Sequence, residues 1–156
     1  MANITHRIAA ALALLCLLTF FLATVWVELF GSHETVAWVK SLIVTPGLWI
    51  MVPAMVATGG SGMLIGKGRR GRLVESKKKR MPFIALNGLL VLVPCAIVLH
   101  QWADQGRFDT TFYFVQAIEL LAGATNLVLM CLNVRDGLRM TGRLRPAATV
   151  TSSLGK

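Results

Sequence analysis

Four uninterrupted apolar stretches dominate this chain, at about residues 8–30, 42–65, 81–99 and 111–132. Each supplies the roughly 20 residues that a helix rising about 1.5 Å per residue needs to cross about 30 Å of hydrocarbon. Lipid offers the backbone no hydrogen bonds, so such runs must be helical, and the alternation of apolar and polar residues expected of a membrane strand is absent. The composition agrees: 55 % of the 156 residues are hydrophobic and the mean hydropathy is +0.66, outside the range of an ordinary soluble domain. The expected fold is an all-α polytopic membrane protein, a four-transmembrane-helix antiparallel bundle over residues 1–145, with residues 146–156 as a flexible cytoplasmic tail.

Charge sets the expected orientation. Of the sixteen lysines and arginines, fourteen fall before the first stretch, between the second and third, or after the fourth; the other two connections hold only Lys40 and Arg107. This bias predicts both termini in the cytoplasm, N-in and C-in, and a bacterial inner membrane as the location. A pI near 10.4 would suggest nucleic acid in a soluble protein; beside four membrane stretches it predicts the lipid bilayer and its anionic headgroups as partners, and no nucleic acid. The first stretch is too long for the h-region of a signal peptide and ends on Trp26, Glu28 and Phe30 instead of small residues. Cys16, Cys95 and Cys131 lie inside the stretches without a metal or disulfide spacing and read as small core hydrophobes.

Polar residues within the stretches are few and patterned. Gln116, Glu119, Gly123, Asn126, Met130 and Asn133 follow at spacings of three and four, so they share one helix face, and that face points into the bundle because exposing amides or carboxyls to hydrocarbon costs several kcal/mol. Glu119 lies roughly 12 Å from the start of its helix by helical rise and requires a partner or a proton. Lys40, Gln116 and Glu28 are the groups at its level, and with Asn87 and Asn126, which stand at matching heights on neighbouring helices, they form the expected buried polar cluster. In the second stretch Pro46 and Pro53 predict a kink, and the run containing Gly59, Gly62 and Gly66 offers a GxxxG contact, with Gly123 as a further close-approach site. Trp26, Trp38, Phe112 and Tyr113 fall at helix ends and suit a headgroup zone.

Motifs of enzymes are missing from the sequence: no GxSxG, HExxH or phosphate-binding loop with its lysine. No internal repeat suggests an inverted-repeat transporter. The first functional reading is therefore a non-enzymatic membrane protein, a homo-oligomer or an accessory subunit beside other membrane subunits in a respiratory or transport assembly. A second reading is electron transport: His33 and His100, at the same end of the bundle, as axial ligands of haem b. A third is a small transporter or proton-conducting protein that uses Glu119.

Overall fold

The computed structural model describes residues 2–66 and 72–140; residues 67–71, in the basic connection, and the expected tail lie outside the described residues. Among the described residues all regular structure is helical: α1 (Ala2–Phe30), α2 (His33–Leu42), α3 (Trp49–Gly66), α4 (Arg72–Asn87), α5 (Val93–Asp104) and α6 (Thr110–Met140). A π-helical segment, Ile43–Leu48, joins α2 to α3, and another, Gly88–Leu92, joins α4 to α5. The result is four rods: α1, α2 with α3, α4 with α5, and α6. Each contains a helix long and apolar enough to cross a membrane, at Ile4–Phe30, His33–Gly62, Lys79–Asp104 and Thr110–Arg139.

The rods are longer than the apolar stretches. The turn after α1 shrinks to residues 31–32, because Ser32 caps α2, its Oγ accepting the backbone N–H of Thr35 at 3.3 Å. Lys40 is thus not a residue preceding the second rod; it lies within it, on α2. At the opposite end α4 begins at Arg72, so Lys77–Arg80, read from the sequence as part of a loop at about 67–80, are helical. The polar side chains of such extensions need no hydrocarbon; they continue a helix into the interface or water.

The first rod contacts the second along its length and also α6, and the third rod closes the ring by packing on the second and on α6. Two apolar clusters fill the interior: one around Val27, Val36, Ile43, Leu99 and Phe112 near the end where the two short turns lie, here called the hairpin end, and one around Leu17, Met51 and Leu92 at mid-height. The other end, holding Arg7, Arg80 and Arg135, is the basic end. Only 22–28 % of each apolar window is buried, and Leu15, Trp49, Val56, Phe114 and Leu121 all point outward. A bundle with polar groups inside and an apolar exterior is satisfied by lipid and not by water.

Two sequence expectations are corrected here. Phe112 does not sit at the surface; it is fully buried, packed edge-on between Phe108 and Tyr113 at 4.9 and 5.4 Å, because it stands one turn before Gln116 on the inward face of α6. Trp26, Trp38 and Tyr113 are exposed. Cys131 is exposed and fills no core, while Cys16 and Cys95 are partly buried.

Both interrupted rods break at a buried glycine. Thr45 leaves helical geometry (φ −135°, ψ 110°) immediately before Pro46, whose missing N–H would otherwise have bonded to the Leu42 carbonyl. Gly47 then approaches so closely that a Cβ there would lie 2.9 Å from that carbonyl oxygen and 2.6 Å from the Phe20 ring. Pro53, by contrast, is absorbed within α3. In the third rod a Cβ at Gly88 would lie 2.6 Å from Met55 Cε.

Candidate functional site

The inward face of α6 organises the site. Phe112, Gln116, Gly123, Asn126 and Asp136 are buried along it, extending the stripe read from the sequence by one residue at each end. Opposite this face the other rods present their own polar groups, and the pairings fall at three heights.

Nearest the hairpin end lies a charged cluster. The Lys40 ammonium, wholly buried on α2, is ion-paired with Glu119 Oε2, and Gln116 Nε2 donates to the same oxygen at 3.0 Å. Glu119 itself is 12 % exposed, so both charges are out of water and depend on each other. Glu28 of α1 completes the group: it lies within the electrostatic reach of Lys40, Glu119 and His33, yet its Oε1 is sealed with no hydrogen-bond partner. Gln116 Oε1 is likewise sealed without a donor. Immediately below, toward mid-height, Glu119 and Gly123 border a cavity of about 40 Å³ whose remaining wall is apolar and includes Ile43, Leu48 and Leu92 from the two π-helical segments.

At mid-height Asn87 of α4 donates to Asn126 Oδ1 at 2.9 Å and to the Ala122 carbonyl at 3.0 Å. Asn126 Nδ2 donates in turn to the Ile84 carbonyl at 3.2 Å, one turn before the second π-helical segment. Two amides thereby bind α6 to the third rod, and Asn126 is wholly buried in doing so.

At the basic end Arg80 Nη1 donates to Asp136 Oδ2 at 2.7 Å, with Arg135 at 3.4 Å from the other carboxylate oxygen. Asp136 is buried whereas Arg80 is 25 % exposed. On the first rod His6 Nδ1 lies 3.1 Å from both the Thr58 carbonyl and Ser61 Oγ. The sequence reading did not single out Arg80, Asp136 or His6 as a site. The periodicity of α6 was the available signal, since Asp136 follows Asn133 by three residues.

The remaining candidate residues are dispersed. A Cβ at Gly62 would lie 3.1 Å from His6 Cε1 and closer still to Met81, and one at Gly123 would lie 3.3 Å from the Phe21 ring, whereas one at Gly59 would meet nothing within 4 Å. Among the described residues no neighbour therefore packs on Gly59 where a Cβ would be. Gly66 ends α3. Among the histidines, His33 is exposed and lies parallel over the Phe108 ring at 4.2 Å, and His100 is partly buried with Nδ1 lacking a partner. Among the described residues no group of three or more His, Cys, Asp or Glu side chains is arranged to hold a metal ion.

Outside the rods, Asp109 caps α6, accepting the backbone N–H of Phe112 at 2.9 Å and the Arg107 guanidinium at 2.6 Å. The backbone donor first and the arginine second hold its carboxyl below the usual carboxylate range. Arg107 also stacks 4.8 Å over the Trp102 ring.

No family model, curated protein or solved structure matches this chain.

Proposed function

We propose that the protein is a non-enzymatic, integral component of a bacterial inner membrane, inserted N-in and C-in, that works by lateral contact within a homo-oligomer or a larger respiratory or transport assembly. The observation that carries this reading is the division of the surface. The interior polar groups are largely spent on one another, and the cavity at the charged cluster, about 40 Å³, is far below the roughly 300–1,000 Å³ of a small-molecule site. All four rods carry large apolar side chains on their outward faces, with an open groove on α1 lined by Leu22, Val25, Trp26, Leu29 and Phe30. The basic end suits anionic headgroups on the cytoplasmic side.

Extraction of the protein from its native membrane into lipid nanodiscs without detergent, followed by native mass spectrometry, tests the reading. Particles holding more than one protein chain are expected; particles with a single chain throughout would refute it. Orientation is tested separately, in a variant lacking Cys16, Cys95 and Cys131. A cysteine introduced at Ser32 should react with an impermeant reagent applied to intact cells, and labelling of one introduced at Glu75 instead would invert the topology.

A haem b electron carrier is supported by one observation, the sealed and unpartnered Nδ1 of His100. His33, the second ligand in that reading, is exposed, with its ring stacked on Phe108. The visible spectrum separates the two: a colourless preparation is expected here, and a Soret band with reducible α and β bands would favour the cytochrome.

A further inference from the structure

The charged cluster contains one more carboxylate than it has cations. Lys40 carries a single positive charge, and that charge is committed: its ammonium pairs with Glu119 Oε2, the oxygen that also receives the Gln116 amide. Glu28 receives neither donor, although it stands close enough to feel both Lys40 and Glu119. An ionised Glu28 would hold its sealed Oε1 against no donor while facing the negative charge of Glu119, which low-polarity surroundings penalise.

A single proton resolves three features together. It cancels the excess charge, since one ammonium then balances one carboxylate. It converts Glu28 from an acceptor into an O–H donor. It also supplies a donor to a cluster in which a second sealed acceptor, Gln116 Oε1, lacks one. We propose that the Glu28–Lys40–Glu119–Gln116 cluster is a binding site for one exchangeable proton, carried on Glu28 and exchanged with the medium at the hairpin end.

Position makes the proton exchangeable. Glu28 is two residues from the end of α1 and its side chain is only partly buried, so the site opens toward the short turn at residues 31–32. On its other side the cluster closes on the apolar cavity beneath Glu119. The titratable and charged groups facing it are Lys40 and His33 of α2, Glu119 of α6 and, from α5, Cys95, which is in the field of Glu119 and Lys40. His100 and Asp104 of α5 and Glu34 of α2 are further titratable residues at this end. This site is independent of the lateral-contact reading and stands or falls without it.

Infrared spectroscopy of the whole protein in lipid nanodiscs at neutral pH reads the proton directly, through the C=O stretch of a protonated carboxyl. One such band is expected in the unaltered protein. It should move to lower frequency in D₂O, and it should be absent in Glu28→Gln, which keeps the shape of the side chain. In Glu119→Gln the freed ammonium should take the remaining carboxylate, so the band should vanish there too. No carboxyl band in the unaltered protein would overturn the proposal, including the case in which the proton rests on His100. So would a band that survives in Glu28→Gln, one that persists in Glu119→Gln, or one that does not respond to D₂O. The unaltered protein alone decides the first and last of these, whatever the folding of the variants.

Discussion

The two ends of α6 solve the same problem under different conditions. Near the hairpin end Glu119 is matched to Lys40, and near the basic end Asp136 is matched to Arg80; each pair joins α6 to a different rod. Lys40 is 0 % exposed, whereas Arg80 is 25 % exposed. A cation that reaches water keeps a second way of being solvated, and its ion pair is correspondingly cheap to break. A cation sealed among apolar side chains has only its partner, so the pair is weak as a source of stability but costly to leave half-made. The lesson is that two ion pairs with similar partners on one helix face differ less in their strength than in what happens when one member is removed.

The sharpest way to break this comparison is Glu119→Leu. It strands a buried ammonium and should destabilise the bundle by about 3–5 kcal/mol, read by reversible unfolding in lipid or detergent. Adding Lys40→Met should recover most of that loss. Strictly additive effects would show that the two side chains do not depend on each other.

Asp136→Asn should cost much less, about 1 kcal/mol, because Arg80 can turn to water or headgroups. Raised salt should weaken the unaltered Arg80–Asp136 pair and leave the Lys40–Glu119 pair nearly unchanged, since ions screen only the accessible charges. An equal salt response at both ends would remove the distinction drawn here.

Between the two ends, Asn87→Leu removes two interhelical hydrogen bonds that carry no charge, to Asn126 and to the Ala122 carbonyl. At about 0.6 kcal/mol for each such bond a loss of about 1 kcal/mol is expected, well below that of Glu119→Leu. A loss as large as that of Glu119→Leu would mean that the amides, and not the charges, hold α6 to the bundle.

The smallest effect belongs to Asp109, which lies beyond the rods in water. Its carboxyl is held below the ordinary range by the Phe112 backbone N–H and by Arg107, so its contribution is present above the unfolded carboxylate value of about 3.9 and is lost as pH falls through the lower folded value. Asp109→Asn should flatten that acid limb of the thermal stability curve and lower stability slightly at neutral pH, where the contribution of the carboxylate is fully present. An unchanged acid limb would place the titrating group elsewhere.

Much of the architecture was legible because it depends on quantities that a linear sequence carries. Length and hydropathy required four helices long enough for a bilayer, and the spacing of Gln116, Glu119, Gly123 and Asn126 required one polar face on α6, since 3.6 residues per turn leaves no other arrangement. Lys40, Glu28 and Gln116 were identifiable as groups at the level of Glu119. Which carboxylate takes the Lys40 ammonium, Glu28 or Glu119, was decided only by the tertiary structure, because the choice depends on how rods far apart in the chain are packed. The same holds for Arg80 with Asp136, 56 residues apart, and for Phe112, whose burial depends on Phe108 and Tyr113 closing around it. The glycines show the division most plainly. The sequence placed Gly59 and Gly62 in one close-packing run, but packing sets Gly62 against His6 and Met81, leaves Gly59 in open space, and makes close demands at Gly47 and Gly88, outside that run. A missing side chain has a consequence only where another rod arrives to use the room, and that is a property of the assembled bundle.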